Sequence, residues 1–310
     1  TIVSPDVPLI EHKLAQITKT PSVIKQLKKL SSKGYSPSSL TNYIRNPMDF
    51  YYEKILGITE FEDVEENIAA NTLGSVIHNS LEDFYKPLEG SLLTLEHLKG
   101  FKSQIKNMVT KHFEALYNKG GFSKGKNLII FEIAQRYISN FINLEIESLK
   151  NGNEIKILSI EADEGIDIKI EGLDFPIKLK GKVDRIDSFN GTTRVIDYKS
   201  GKVEQGKVEI VDWEDLTTDY NKYSKSFQIL CYAYMMRQQN RIELPIEAGI
   251  ISFKNLNEGF LKFGKKASSH ARTKDQLITD ETLDNFEIEL KKLISEICNP
   301  NIDFIEKELD

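Results

Sequence analysis

The sequence predicts a mixed α/β fold in which helices pack around a β-sheet. Over roughly the first 150 residues, apolar side chains recur three and four apart, as in Leu73, Ile77, Leu81 and Phe84, the pattern of helices with one buried face. After the break at Asn151-Gly152-Asn153 the chain changes to short β-branched runs separated by polar turns, the pattern of strands. Between two of these runs stands Asn190-Gly191. That dipeptide is the strongest short-range hairpin signal, because both turn positions need positive φ.

Taken in order, helices are expected over 38–55, after the turn at Ser36-Pro37, and over 71–85, 94–118 and 127–150. Strands are expected over 155–162, 166–170, 177–187 and 193–199. A polar segment, 200–222, long enough around Trp213 to act as a flap, leads to a helix over 226–239 and a strand over 246–253. A basic loop and a last helix over 280–297 complete the chain. Helices, then a strand meander, then helix and strand make a layered α/β arrangement. The expected organisation is a helical region, 1–150, and a sheet-bearing core, 151–310, both within one compact domain.

With 40% hydrophobic and 28% charged residues among 310, the chain can bury a substantial core and has the balance of a soluble globular protein. No apolar run approaches the roughly 20 residues of a membrane span, and the N-terminus lacks a basic-then-apolar signal pattern. No membrane association is expected. Two cysteines, Cys231 and Cys298, are too few for a disulfide framework or a four-cysteine metal site and fit a reducing cytoplasm. Beginning with Thr1 and stopping on Asp310, the chain reads as a piece of something longer.

A net charge of −6 argues against a protein that coats nucleic acid by bulk electrostatics, although the distribution of charge matters more than its total. Residues 18–33 hold five lysines and no acid, and 254–274 hold six basic residues against Glu258 alone. Both stretches can flank a groove or be ordinary solvated surface. Residues 60–66 and the stretch from Asp280 are acidic.

The chemistry concentrates in the hairpin. A two-residue turn at Asn190-Gly191 pairs Phe189 with Thr192, and extending the ladder residue by residue sets Asp184 opposite Asp197. Opposed side chains share a face of the sheet, and like charges so placed destabilise it unless a cation lies between them. A divalent ion with oxygen ligands meets that need. Period-2 alternation adds Lys199 on the face of Asp197. Two acids and a lysine can hold Mg²⁺ or Mn²⁺, which polarises a phosphoryl oxygen and activates water, while the lysine orients that water and stabilises developing charge. Read alone, Asp-x-Lys is more often a solvated strand face; Val195, Ile196 and Tyr198 around it mark an interior strand instead. A longer turn would shift the register and separate the acids.

The run Gly-x-x-Asp-Arg-Ile-Asp from Gly181, followed by Val-Ile-Asp-Tyr-Lys-Ser-Gly from Val195, resembles the active-site signature of PD-(D/E)XK nucleases, in the branch of the RecB and AddB exonuclease domains. Further elements occur in that family's order: Ser36-Pro37-Ser38-Ser39-Leu40 with Tyr43; Asn46-Pro47 and Phe50-Tyr51-Tyr52; Gly74, His78 and Glu82; Gln228 and Tyr232. The resemblance extends from about Ser36 to Phe304.

It implies a restriction-endonuclease-like core, a mixed sheet flanked by helices, with 151–310 as the nuclease core and the N-terminal region contributing His78. Asp184, Asp197 and Lys199 would be catalytic. His78, Asp184, Asp197 and the Tyr198 carbonyl would bind the metal, Gln228 and Tyr232 would line the substrate side, and Glu161 would match an acid on the first strand. The reaction would be phosphodiester hydrolysis leaving a 5′-phosphate. Independently, Gly74, His78 and Glu82 lie four apart on one helix face, where glycine allows close approach. Gln228 and Tyr232 also share a face. Alone, His78 reads as a core or capping histidine, Glu161 as a strand-edge surface acid, and the 226–239 helix as packing Phe227, Cys231 and Met235 inward. Some members of the branch carry an iron-sulfur cluster on four cysteines; Asn46 stands where the first would be, so no cluster is expected. Any tie between the N- and C-terminal parts would then come from packing.

Three functions follow as expectations. The first is a Mg²⁺- or Mn²⁺-dependent deoxyribonuclease, an exonuclease acting on DNA ends in recombination, repair or defence, alone or with a helicase domain or subunit. Tyr43, Phe50, Tyr51 and Tyr52 could stack bases in its channel. The second is an inactive DNA-binding or scaffolding module of a helicase-nuclease complex, since folds outlive their chemistry. The third is an enzyme of the same fold acting on RNA or as a sequence-specific endonuclease.

Overall fold

The computed structural model describes residues 14–58, 70–116 and 124–308. The acidic stretch 60–66 lies outside them. The chain opens with a two-residue strand, β1 (Gln16–Ile17), and four short helical segments: α1 (Pro21–Lys33), α2 (Pro37–Arg45), α3 (Pro47–Phe50) and a π-helical turn over Tyr51–Leu56. The single helix expected over 38–55 is therefore broken. Pro47 lacks an N–H and disfavours helical geometry in the residue before it, and Asn46 is extended, with φ −156°. α1 itself, rich in lysine and serine, was not among the expected elements.

Three long helices follow: α4 (Ala70–Tyr85), α5 (Leu95–Leu116) and α6 (Gly125–Lys150). The central strands β2 (Ile155–Ile168), β3 (Ile177–Phe189) and β4 (Thr192–Lys199) form an antiparallel meander. β2 is continuous where two strands were expected. A short strand, β5 (Glu209–Ile210), precedes α7 (Tyr220–Gln238), which crosses over to β6 (Glu247–Ser252). β6 pairs parallel with β4, and β7 (Phe260–Lys262) closes the sheet antiparallel to β6. The sheet order is β2-β3-β4-β6-β7. β8 (Gly264–Lys266) and β9 (Lys274–Asp275) join β5 in a small second sheet, then α8 (Asp280–Cys298) and β10 (Phe304–Ile305) return to β1.

Alternation along β4 sends Val195 to one core and Ile196 and Tyr198 to the other. The first core holds α1, α2, α7 and α8; the second holds α4, α5 and α6. This is a mixed sheet between helical layers, with the N-terminal helical region and the restriction-endonuclease-like plan expected.

The second core carries a buried charge network. Arg185 is fully buried and pairs with Glu145 at 2.7 Å and Asp187 at 2.8 Å. Asp187 also holds the Arg194 fork, with contacts of 2.7 and 2.8 Å, and Tyr85 donates its hydroxyl to Glu145. Two residues of the Asp-Arg-Ile-Asp run thus tie β3 to α4, α6 and β4.

The expected flap is anchored. Val203, Val208, Ile210 and Leu216, apolar residues spaced among the polar ones, are all buried in the α7-side core. The basic stretch over 254–274 is largely committed as well: Lys262 pairs with Glu247, Lys266 and Lys274 grip Glu209, and Lys265 donates to backbone carbonyls. Tyr43 and Phe50 are buried against Phe304, so of the aromatics expected to stack bases they cannot serve. Tyr52 is exposed.

The N- and C-terminal segments are tied by polar contacts. Asn46 Oδ1 accepts from the backbone N–H of Met48 at 3.1 Å and of Lys307 at 3.3 Å. Tyr43 donates to Glu296, and the Cys298 thiol lies 3.7 Å from the Tyr35 hydroxyl.

Candidate metal centre

The turn is the one expected, with φ of 49° at Asn190 and 86° at Gly191. It sets the β3–β4 ladder from Phe189↔Thr192 to Arg185↔Ile196. The next step would be Asp184 opposite Asp197, but the ladder stops there. The Asp184 carboxylate turns sideways and accepts the Tyr198 N–H at 2.6 Å. The acids are neighbours without being a regular cross-strand pair.

On the other side of β3, the β2 ladder passes from Ile160↔Arg185 to Ala162↔Val183, skipping Glu161. Glu161 has φ 50°, the left-handed region that side chains other than glycine seldom occupy and that costs of order 1 kcal/mol. Ile157 and Ile160 belong to the α4–α6 core, yet Ala162, Ile166 and Ile168 belong to the α7 core. The strand turns over at Glu161, which carries its carboxylate into the site. Far from being a surface acid, Glu161 has a side chain only 9% exposed, 2.7 Å from Lys182.

His78 reaches this point from α4. Its Nδ1 lies 3.1 Å from Asp184 Oδ1 and 4.0 Å from Glu161 Oε1, and its Nε2 lies 3.1 Å from the Tyr198 carbonyl oxygen. Gly74, one turn earlier, lets α4 approach: a Cβ there would lie 3.3 Å from Ser200 Oγ. One ligand atom each from His78, Glu161 and Asp184 lie within 4.8 Å of one another. Lys199 extends from the same strand as Asp197, with Nζ 2.7 Å from Oδ2. That contact pairs the Lys199 ammonium with the buried Asp197 carboxylate.

The electrostatics follow from burial and crowding. Burial, with Asp184 adding to it and Lys199 opposing it, holds the Asp197 carboxyl above its ordinary range. Glu161 is raised likewise by burial and by Asp184, against Lys182. Burial disfavours charge on His78, but the hydrogen bond and charge of Asp184 overcome it and raise its pKa. Both ring nitrogens face acceptors, an arrangement that only the imidazolium satisfies by donation. A divalent cation here would replace that proton and relieve the crowded carboxylates. The donor set, imidazole with carboxylate and carbonyl oxygens, is suited to a divalent metal ion.

A profile of the PD-(D/E)XK nuclease superfamily matches residues 35–309. The chain belongs to this superfamily. Among curated proteins, it is similar to an uncharacterized protein of Rickettsia conorii, 28% identical over 206 residues, which cover 64% of this chain and 23% of that one. An uncharacterized protein of Rickettsia typhi is 28% identical over 206 residues, 64% of this chain and 21% of its own. This PD-(D/E)XK chain thus spans less than a quarter of the length of those relatives. Among solved structures, a putative exonuclease from Eubacterium rectale superposes with a TM-score of 0.45 at 15% identity, covering 91% of this chain and 88% of that one.

The other expected residues of this PD-(D/E)XK site distribute unevenly. Glu82 binds Lys86 at 2.8 Å and lies 3.8 Å from Lys182, so it borders the site through Lys182. Gln228 donates to the Tyr232 hydroxyl at 2.8 Å. Tyr232 is largely buried and feels the charges of Asp197 and Asp184. It packs where Gly181 leaves room: a Cβ on Gly181 would lie 3.0 Å from the Tyr232 ring. Two lysines went unread in the sequence. Lys182 neutralises Glu161, and Lys225, three residues before Gln228 on α7, feels the charges of Lys199 and Asp197. The i, i+3, i+7 spacing of Lys225, Gln228 and Tyr232 was the available signal.

Proposed function

We propose that this chain is a Mg²⁺- or Mn²⁺-dependent deoxyribonuclease that hydrolyses phosphodiester bonds at DNA ends and leaves a 5′-phosphate. The observation that carries the reading is the meeting of Glu161, Asp184 and Asp197, from three adjacent strands, with His78 and Lys199. His78, Glu161, Asp184, Asp197 and the Tyr198 carbonyl are the groups that would hold the ion. When bound, it polarises the phosphoryl group and balances the acids. Asp184 orients the imidazole, and its bond to the Tyr198 N–H fixes β3 against β4. Lys199 is placed to donate to the attacking water or to a phosphoryl oxygen where negative charge grows. Gln228 and Tyr232 face the substrate side from α7. The greater length of the rickettsial relatives suits a module of a longer protein; on the RecB-like reading its partner is a helicase and its setting is recombination or repair in the cytoplasm.

The test is degradation of linear and covalently closed circular DNA with Mg²⁺, Mn²⁺ or EDTA, comparing the wild type with Lys199→Ala. The reading expects metal-dependent loss of linear DNA, intact circles and an inactive variant. Cut circles would replace exonuclease with endonuclease, and DNA binding without cleavage would favour the inactive module.

A further inference from the structure

The cations around the centre are almost all committed. Lys182 holds Glu161, Lys199 holds Asp197, and Lys86 holds Glu82. Lys225 is different. Among the described residues, none makes an ion pair or hydrogen bond with its ammonium, although the side chain is largely buried. Burial, and then the charge of Lys199, pull its pKa below the usual lysine range, with Asp197 opposing them. An amine without a counter-ion beside another cation is unfavourable in the free protein, and an arriving anion relieves it.

Its position favours one anion. α7 begins with Asp219 capping the Lys222 N–H at 2.9 Å. The helix then presents Lys225, Gln228 and Tyr232 along one face. Tyr232 leans on Gly181 of β3 and feels both Asp184 and Asp197, while Lys225, two turns earlier on the same face, feels the charges of Lys199 and Asp197. The face therefore runs alongside the acid cluster, with the free ammonium at its Lys199 end. A polyanionic strand crossing the centre meets there a positive charge that no carboxylate has claimed.

We propose that Lys225 is a phosphate-binding residue of this site, taking a phosphodiester group of the DNA strand whose neighbouring phosphate lies at Lys199 and the acid cluster. The assignment rests on the nuclease reading above. It makes α7 a clamp: Lys225 fixes the backbone and Lys199 serves the reacting group. The two lysines thus have separable effects, one on strand binding and one on turnover.

The test measures steady-state cleavage of a short fluorescent DNA with Mn²⁺ for wild type, Lys225→Ala, Lys225→Arg and Lys199→Ala, each across a salt series. For Lys225→Ala we expect KM to rise about ten-fold or more, as for loss of a charged hydrogen bond, with kcat within about three-fold. The slope of log KM against log salt should become shallower by about one phosphate's worth, roughly 0.7 to 0.9. Lys225→Arg should recover both, which repacking of α7 alone would not produce. Unchanged KM and salt slope, or a fall in kcat alone, would overturn the role of Lys225 while leaving the nuclease reading intact. A wild type that cleaves nothing with either ion would overturn the reading itself and the role with it.

Discussion

Glu145→Gln separates the structural half of the Asp-Arg-Ile-Asp run from its metal-binding half. Glu145 contacts Arg185 at 2.7 Å, and the guanidinium is fully buried. Glutamine keeps the shape and removes the charge, leaving Arg185 and Arg194 to share Asp187. Breaking a buried ion pair from one side costs about 3–5 kcal/mol, and the surviving Asp187 contact puts this case near the lower end. Unfolding entropy of about 2.1 cal/mol/K per residue over 310 residues is about 0.65 kcal/mol/K. A loss of about 3 kcal/mol then lowers Tm by about 5 °C. Calorimetry measures that shift, and Mn²⁺ titration of the folded variant should give the wild-type affinity, because Glu145 bonds to Arg185 and Tyr85 and not to any group that would hold the ion. A Tm shift below about 1 °C, or lost Mn²⁺ affinity at unchanged Tm, would refute the division.

Further outcomes follow from close packing and from charge. Gly249→Ala drives a Cβ into the Leu261 carbonyl across the β6–β7 pair, so it should abolish stable folding or lower Tm by more than alanine at any other glycine among the described residues. Gly181→Ala meets the movable Met235 terminus at 2.9 Å and the Tyr232 ring at 3.0 Å; overpacking of about 1–3 kcal/mol and a displaced Tyr232 fluorescence or NMR signal are expected. Lys19 is almost wholly buried, and burial lowers its pKa to about 8, partly offset by Cys298, Glu296 and Asp303. The folded chain therefore releases this proton before the unfolded chain, whose lysine titrates near 10.5. Stability attributable to Lys19 should rise between pH 8 and 10.5, and urea denaturation should show the wild type gaining on Lys19→Met across that window.

The hairpin was legible because Asn190-Gly191 fixes both turn type and register, but the direct opposition of Asp184 and Asp197 that this register predicts is not formed, because the ladder ends at Arg185 and Ile196 and Asp184 turns to the Tyr198 N–H. His78 was expected here from the family resemblance; its four-residue spacing with Gly74 put both on one helix face, but alone it read as a core or capping histidine. Glu161 was harder to read. Its carboxylate enters the site only because a non-glycine residue takes positive φ and turns β2 over, and alternation rules assume a regular strand. The basic stretch over 254–274 looked available for nucleic acid, but its partners Glu209 and Glu247 are distant in sequence and pair with it only through β5, β6 and the short strands β7 to β9. Two- and three-residue strands such as these carry too few side chains to show any period. The apolar spacing within 200–222 was present but sparse, which is why a core-anchored segment read as a flap.

Isothermal titration of Mn²⁺ into metal-free protein tests the centre most directly. Wild type should bind, with Asp184→Asn and Glu161→Gln each weakening the affinity about ten-fold or more, as changes around a metal's ligands do. Wild-type binding that neither substitution alters would mean that the ion, if it is used at all, is held elsewhere, and the acid cluster would lose its assigned purpose.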